Sequence, residues 1–172
     1  MDAKQCLRQT AAMIIELRVV RTIAAPAAAV FALALDSERF PATFSGYGPI
    51  PALRRITPLA PPAVGATREV ESSDDSLLTE RITAFDPPRR HAYTLSVMRP
   101  PLAWLVRTGN ADWAFDDANG GTRVTWRYAF ELTGVVAAPL AWPLLHIFMR
   151  GAMRRSLVAM ARILEPAEAT AR

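Results

Sequence analysis

The sequence is poor in the residues from which disulfides and metal sites are built. Cys6 is the only cysteine, so an intramolecular disulfide cannot form and a cysteine-rich metal site is excluded. The only histidines, His91 and His146, lie far apart and lack the spacing of a zinc-binding HExxH motif. We therefore predict no metal and no other cofactor, and a reducing, cytoplasmic location.

Lysine is almost absent as well, since Lys4 is the only one and every other basic residue is arginine. The 20 basic residues exceed the 16 acidic residues only slightly, which gives a net charge of +4. Bases alternate with acids, as at Glu80 and Arg81, whereas nucleic-acid-binding tails contain runs of bases. We therefore expect no nucleic-acid partner.

Uninterrupted apolar runs of the length needed for targeting or membrane insertion are also missing. The N-terminus reaches Glu16 before a signal-peptide core is complete, so we expect no secretion. Residues 132–149 carry no formal charge and just reach the length of a membrane span, but Gly134, Pro139 and Pro143 interrupt them. We therefore expect no membrane span.

What the chain does contain is a regular succession of strand and helix patterns. With 172 residues and 51% hydrophobic residues, it is expected to form a single domain over residues 13–166. We predict flexible tails at 1–12 and 167–172. The predicted elements are a strand at 14–24, helices at 26–35 and about 36–42, six strands up to residue 132, and a helix at about 139–164.

The final helix is long enough to cover much of one face of a sheet. Its apolar positions Leu145, Phe148, Ala152, Ala159 and Ile163 fall near one stripe at helical spacing. We expect this stripe to pack on the apolar face of the strands.

Four segments carry a resemblance to a known superfamily. They are VVRTIAAPAAAVFAL, DSERFPATFSGYGPI, LLTERITAFDPPRRHAYTL and ADWAFDDANGGTRVTWRYAFEL, and the similarity covers about residues 14–165. The chain resembles the START/Bet v 1-like (SRPBCC) superfamily, in particular its polyketide cyclase/dehydrase-like branch. The connection RPPLAWLV departs from the aromatase/cyclase members of that branch.

The resemblance implies an α+β helix-grip fold. In this fold a curved antiparallel sheet of about seven strands, in the order β-α-α-β6-α, wraps around a long C-terminal helix. Similar proteins usually bind hydrophobic or amphipathic small molecules, such as lipids, steroids, quinones and polyketides, in a cavity between the sheet and the helix. Activity varies widely on this fold, so the fold alone does not fix it.

Aromatic residues are the first candidates for a ligand site. Strand alternation predicts five of them on the concave face, where they either line the cavity or fill the core: Tyr93, Trp113, Phe115, Trp126 and Tyr128. Phe44 and Tyr47 are predicted at the cavity mouth, and Phe148 on the final helix is a further candidate.

Two titratable residues are also candidates. Glu80 shares its strand phase with apolar neighbours and is predicted to face the interior, where it either contacts a ligand or pairs with Arg68 or Arg21. His146, at the start of the final helix, either faces the cavity as a hydrogen-bonding group or lies at the surface.

The connection between two predicted strands contains Leu102, Trp104 and Leu105, which are costly to expose. They either pack against the rim of the fold or form a gate or membrane-contacting tip, because tryptophan suits the lipid interface. We expect the gate to include the uncharged segment that leads into the final helix, with Pro139 and Pro143 delaying regular helix there.

No catalytic constellation emerges, so binding of a small hydrophobic or amphipathic ligand is the leading hypothesis, for transport or sequestration. A polyketide cyclase or dehydratase using Glu80, Tyr93, Tyr128 or His146 as acid or base is the alternative. A partner-binding or chaperone-type module with a filled cavity is the third. We expect a monomer or weak homodimer, with peripheral contact to the inner face of the membrane left open.

Overall fold

A single antiparallel sheet of seven strands forms the frame of the protein. The computed structural model describes residues 12–96, 100 and 102–165. The strands run in the order β1-β7-β6-β5-β4-β3-β2 across the sheet. Their bounds are β1 Ile14–Ile23, β2 Leu53–Pro58, β3 Thr67–Ser72, β4 Leu77–Asp86, β5 Arg90–Ser96, β6 Val106–Ala118 and β7 Gly121–Leu132.

Helices lie at three places along the chain. Helices α1 and α2 follow β1, α3 precedes β6, and α4 and α5 belong to the C-terminal helical stretch. Their bounds are α1 Ala27–Leu35, α2 Phe40–Thr43, α3 Leu102–Leu105, α4 Ala138–Pro143 and α5 Arg150–Leu164. The predicted α+β helix-grip fold is thereby confirmed, with α3 as an additional short helix inside the predicted connection.

Alternation of apolar residues explains how the sheet is buried on one face. In β7, Val124, Trp126 and Tyr128 are buried beneath the helices. β1 pairs antiparallel with β7, and Ile15 lies opposite Phe130, so apolar side chains of the two strands share the inner face. The predicted position of Trp126 and Tyr128 on the inner face is therefore confirmed.

Local signals set the entry to the helices. Pro26 occupies the N-cap of α1, where its missing N–H costs no helical hydrogen bond. The Oδ1 atom of Asp36 accepts hydrogen bonds from the backbone N–H groups of Glu38 and Arg39, each at 2.9 Å. These contacts order the turn that leads into α2, which places the following loop over the sheet.

The C-terminal helical stretch begins earlier than predicted. It starts as a 3-10 turn at Val135–Ala137, continues through α4, becomes π-helical at Leu144–Met149 and ends with α5. The prediction that Pro139 and Pro143 delay regular helix is wrong for Pro139, which lies inside α4, whereas regular α-helix is interrupted directly after Pro143. Pro139 is in the first turn of α4, where proline is tolerated, and the π-helical segment follows directly after Pro143.

α5 packs mainly on β1, through a buried face that includes Met153, Leu157 and Met160. The predicted stripe is wrong at Ile163, which is 44% exposed, because it lies in the last turn of α5 and beside the buried face, which is centred on Met153, Leu157 and Met160. The predicted tails at 1–12 and 167–172 lie outside the described residues, apart from Ala12.

Candidate functional site

A small cavity lies between the inner face of the sheet and the C-terminal helical stretch. Its volume is about 80 Å³. The residues from the sheet that line it are Leu53, Ser72, Glu80, Tyr93, Leu95, Trp126 and Tyr128. Those from α2 and the loop after it are Phe40, Phe44, Ile50 and Pro51, and Met149 closes the cavity from the π-helical segment. Most of these side chains are apolar, but three hydroxyl groups and one carboxyl group are among them.

A buried polar cluster, consisting of Arg68, Glu80, His91, Tyr93 and Tyr128, adjoins this cavity. Arg68 and Glu80 face each other across β3 and β4. The Nε atom of Arg68 donates to Oε2 of Glu80 at 2.9 Å, and a second guanidinium nitrogen donates to the same oxygen. The structure thus confirms the ion pair predicted between Glu80 and Arg68, and Oε1 of Glu80 is not engaged by Arg68.

Burial governs the protonation of Glu80. Removal from water raises the pKa of its carboxyl group, while the charge and hydrogen bonds of Arg68 oppose that rise. The net direction is upward. A carboxyl group with a raised pKa at the wall of a cavity can exchange a proton or bind a ligand oxygen closer to neutral pH than an exposed glutamate can.

His91 is held neutral beside this pair. Burial, reinforced by the positive charge of Arg68, lowers the pKa of His91 to about 3. A terminal guanidinium nitrogen of Arg68 lies 3.4 Å from Nε2 of His91 and can only donate, so Nε2 accepts and the ring proton is on Nδ1. Nδ1 is buried without a hydrogen-bond partner among the described residues.

Two tyrosine hydroxyl groups meet at the cavity. The hydroxyl oxygens of Tyr93 and Tyr128 lie 3.1 Å apart. Both residues are directly opposite Ala111 on the intervening strand β6, and the small alanine side chain leaves room for the rings to approach each other. Burial is the largest cause that raises the pKa of each phenol. Both are therefore neutral hydrogen-bond donors at physiological pH.

The indole of Trp126, another cavity-lining residue, carries a donor without an acceptor among the described residues. Trp126 is only 2% exposed, lines the cavity and stacks on Trp113 with ring centroids 4.0 Å apart. Its Nε1 atom is buried and has no hydrogen-bond partner among the described residues. A buried donor without an acceptor costs free energy, so an oxygen atom placed in the cavity could recover it.

Two predicted ligand residues fill the core instead of lining this cavity. Trp113 packs edge-on against Phe40 of α2, with ring centroids 5.9 Å apart. Phe115 packs in the same way against Phe31 of α1 at 5.3 Å. The prediction that both residues lie on the concave face is confirmed, and the helices α1 and α2 occupy the space in front of them.

Tyr47 and Phe148 join the loop after α2 to the helix. Their ring centroids are 5.8 Å apart, and the guanidinium of Arg155 lies 4.3 Å from the Tyr47 ring centroid. A side chain at Gly48, whose φ is +57°, would overlap Phe148, and one at Gly151 would overlap Tyr47. This closely packed contact holds the loop against the helix beside the cavity, and neither aromatic ring lines the cavity.

His146 and the predicted gate residues are near the surface. The His146 ring stacks on Trp142 at 4.5 Å, and its Nδ1 donates to the Trp142 carbonyl oxygen at 3.3 Å. Trp104 is 70% exposed, while Leu102 and Leu105 are half-buried against the core. His146 is therefore not among the cavity residues.

Sequence reasoning missed several residues that line the cavity. Ser72 and Leu95 share the strand phase of the inner face, which is a signal that could have identified them. Met149 could not be found from a helical period, because it belongs to the π-helical segment. His91 was not predicted as a site residue, because its role depends on the position of Arg68 in the folded chain.

A larger open groove of about 580 Å³ lies on the opposite, outer face of the sheet. Arg18, Arg90, Asp112 and Arg127 are among its lining residues, and Arg90 and Asp112 form an ion pair there. The groove is lined by several charged side chains, whereas the interior cavity combines apolar walls with converging polar groups. The interior cavity is therefore the better candidate site.

A comparison with protein families gives a match over most of the chain. The model of the family described as polyketide cyclase / dehydrase and lipid transport matches residues 15–165. A comparison with curated proteins gives no match.

Several solved structures are similar to this chain in fold. The di-domain ARO/CYC StfQ of the steffimycin biosynthetic pathway is 12% identical with a TM-score of 0.70, over 89% of this chain and 52% of that one. TTHA0849 of Thermus thermophilus is 18% identical with a TM-score of 0.67, over 87% and 97% of the two chains. Ara h 8.0201 is 14% identical with a TM-score of 0.64, over 88% and 98%. At these identities the likeness concerns the fold alone.

Proposed function

The chain belongs to the polyketide cyclase / dehydrase and lipid transport family, within the START/Bet v 1-like superfamily, and from this premise we propose that it binds a small amphipathic molecule in the interior cavity. The ligand has an apolar body and at least one oxygen that accepts hydrogen bonds. Lipids, quinones and polyketides are the classes to test first.

The observation that carries this proposal is the set of polar groups at the cavity wall. Glu80 and the hydroxyl groups of Tyr93 and Tyr128 converge on a space that is otherwise apolar, and the N–H of Trp126 lacks an acceptor among the described residues. Polar groups in a core are costly unless they are satisfied, so a core built only for stability would favour apolar residues here. A bound oxygen atom would satisfy the indole N–H.

The size of the cavity limits how the ligand enters. About 80 Å³ holds several waters or a small fragment. Drug-sized ligands occupy pockets of roughly 300–1,000 Å³, so a lipid or polyketide requires the wall to move. Met149 is the most adaptable wall residue because its side chain is unbranched.

The proposal is tested by native mass spectrometry after mild purification, followed by thermal-shift measurements with lipids, quinones and aromatic polyketides. We expect a co-purifying small molecule or a rise in melting temperature with one class. The same mass spectrum tests the expected monomer or weak homodimer. Absence of any bound molecule and of any thermal shift across the panel would contradict the proposal.

A polyketide cyclase or dehydratase is the second candidate function. Glu80, with its raised pKa, and the neutral hydroxyl groups of Tyr93 and Tyr128 are proton-transfer groups at the cavity wall. Glu80→Gln separates the two functions. It would abolish turnover of a polyketide substrate while retaining its binding if Glu80 is the acid or base, and a pure binding protein would show no turnover in either form.

A further inference from the structure

Six large apolar side chains are exposed near one end of the molecule, and we call this surface the apolar end. Its members are Trp104, Val135, Val136, Leu140, Trp142 and Ile147, with exposed fractions between 52% and 88%. Single exposed apolar residues are ordinary, but a contiguous group of this size marks an interaction surface.

Hydrogen bonds and helix contacts bring these segments together. The hydroxyl group of Thr133 donates to the Trp104 carbonyl oxygen at 2.6 Å, and the Thr133 backbone N–H donates to the Leu105 carbonyl oxygen at 3.0 Å. α3 and α4 are also in contact. Trp104 is therefore tied to the chain that continues into Val135 and Val136, and the three segments form one surface.

The helical stretch at this end is apolar all round. Ala141 and Leu145 are fully buried, whereas Leu140 and Ile147, on the opposite side, are exposed. A helix of this kind fits an apolar environment on both sides. The stretch Val135–Leu164 is long and apolar enough to span a membrane, yet only 22% of its most apolar window is buried.

We propose that the apolar end docks on the surface of a lipid bilayer. Protein interfaces use about one hydrogen bond per 100–200 Å², but the apolar end offers few polar side-chain groups for such bonds, and two of them are already engaged within the chain. Thr133 donates to Trp104, and His146 donates to Trp142. A lipid surface requires no such bonds, and the indoles of Trp104 and Trp142 suit its interfacial region.

The charge pattern fits the same partner. No charged residue occurs between Glu131 and Arg150, so insertion of the five members of the apolar end that lie in this stretch takes no charge into the lipid. Arg150, Arg154 and Arg155 follow at once along the helix, at the depth where phosphate groups would be met. The buried face of α5 keeps the second half of the stretch in the protein, so the helix lies on the membrane and does not cross it.

Vesicle flotation tests the docking. The wild-type protein is mixed with vesicles of phosphatidylcholine, alone or with phosphatidylglycerol, and compared with Leu140→Ser/Trp142→Ser. We expect wild-type protein to float with both vesicles, and the double variant to bind roughly tenfold more weakly for each side chain removed. Because Trp113 and Trp126 are buried, a blue shift of tryptophan emission on vesicle binding reports Trp104 and Trp142.

Leu59→Ser/Val64→Ser is the matched control. These residues are 57% and 66% exposed and lie in the β2–β3 connection, at the opposite end of the sheet. The control should float like the wild type, and both double variants should melt within a few degrees of it, since exposed residues contribute little to stability.

The docking is overturned if wild-type protein fails to float with either vesicle, or if the two double variants bind equally. It is also overturned if the wild type forms a dimer that Leu140→Ser/Trp142→Ser dissociates and that excludes vesicles, since a second copy then covers the apolar end. None of these readouts requires a ligand in the cavity, so the docking and the proposed ligand binding fail independently.

Discussion

The buried polar cluster and the apolar end reverse the usual distribution of side chains in opposite senses. In the interior, the charged pair of Arg68 and Glu80 is less than a tenth exposed. At the surface, Trp104 is 70% exposed and Val136 is 88% exposed. Both arrangements cost free energy of folding, one through desolvation and the other through apolar hydration. Such costs are expected at sites where a protein binds a ligand or a partner. Met149 connects the two regions, because it is the last residue of the π-helical segment and also lines the cavity.

The largest difference between buried and exposed charge should appear when one partner of an ion pair is removed. Glu80→Ala leaves the guanidinium of Arg68 buried without its carboxylate, and we expect a loss of about 3–5 kcal/mol in the free energy of unfolding. Asp112→Ala removes the partner of Arg90 in an exposed pair and should cost less than about 1 kcal/mol. Urea denaturation of both variants at neutral pH measures the difference, and equal losses would contradict the contrast.

The same comparison applies to apolar residues of the helical stretch. Leu145 is fully buried, and Leu145→Ala should cost about 2–5 kcal/mol in the free energy of unfolding. Leu140 is 68% exposed, and Leu140→Ala should change that free energy by no more than about 0.5 kcal/mol. A large loss of unfolding free energy for Leu140→Ala in denaturant titrations would mean that Leu140 is buried. Leu140 would then not belong to the apolar end.

The pH dependence of stability separates the two titratable members of the cluster. The pKa of folded His91 is about 3, below its ordinary value of 6.5, so between these values the unfolded chain binds a proton that the folded chain does not. Stability therefore falls as the pH falls through this window. The pKa of Glu80 is raised above its ordinary value of 4.5, which has the opposite effect. The folded chain then keeps a proton that the unfolded chain has lost, so stability falls as the pH rises above 4.5.

His91→Gln keeps a hydrogen-bond acceptor for Arg68 but removes the titration. The slope of unfolding free energy against pH between 4 and 6 should decrease by up to about 1.4 kcal/mol per pH unit relative to the wild type. Chemical denaturation at several pH values measures this slope. An unchanged slope would show that His91 is protonated in the folded protein.

Much of the fold follows from patterns that are local in sequence. The alternation through Val124, Trp126 and Tyr128 predicts both a strand and its buried face, and Pro26 predicts the start of α1. The order of one strand, two helices, six strands and a final helix was also predicted from such patterns, and the resemblance supplied the curved sheet around the long helix. The ion pair of Arg68 and Glu80 was one of two pairings that strand phase allowed.

The cavity itself could not be predicted in the same way. Trp113 and Trp126 have the same phase and adjoin each other, yet only Trp126 lines the cavity, because Phe40 of α2 packs on Trp113. That difference depends on how a helix sits on the sheet. The π-helical segment, which places Met149 at the cavity, likewise has no signature in the spacing of apolar residues.

Filling the cavity tests the central claim most directly. Ser72 is 2% exposed and lines the cavity, so Ser72→Leu places additional carbon atoms in it. Binding of the molecule identified by native mass spectrometry is measured by isothermal titration calorimetry for the wild type and this variant. The account predicts one bound molecule per chain for the wild type and none for Ser72→Leu, with an unchanged or higher melting temperature for the variant. Equal affinity of the two proteins would contradict it, because the ligand would then bind outside this cavity.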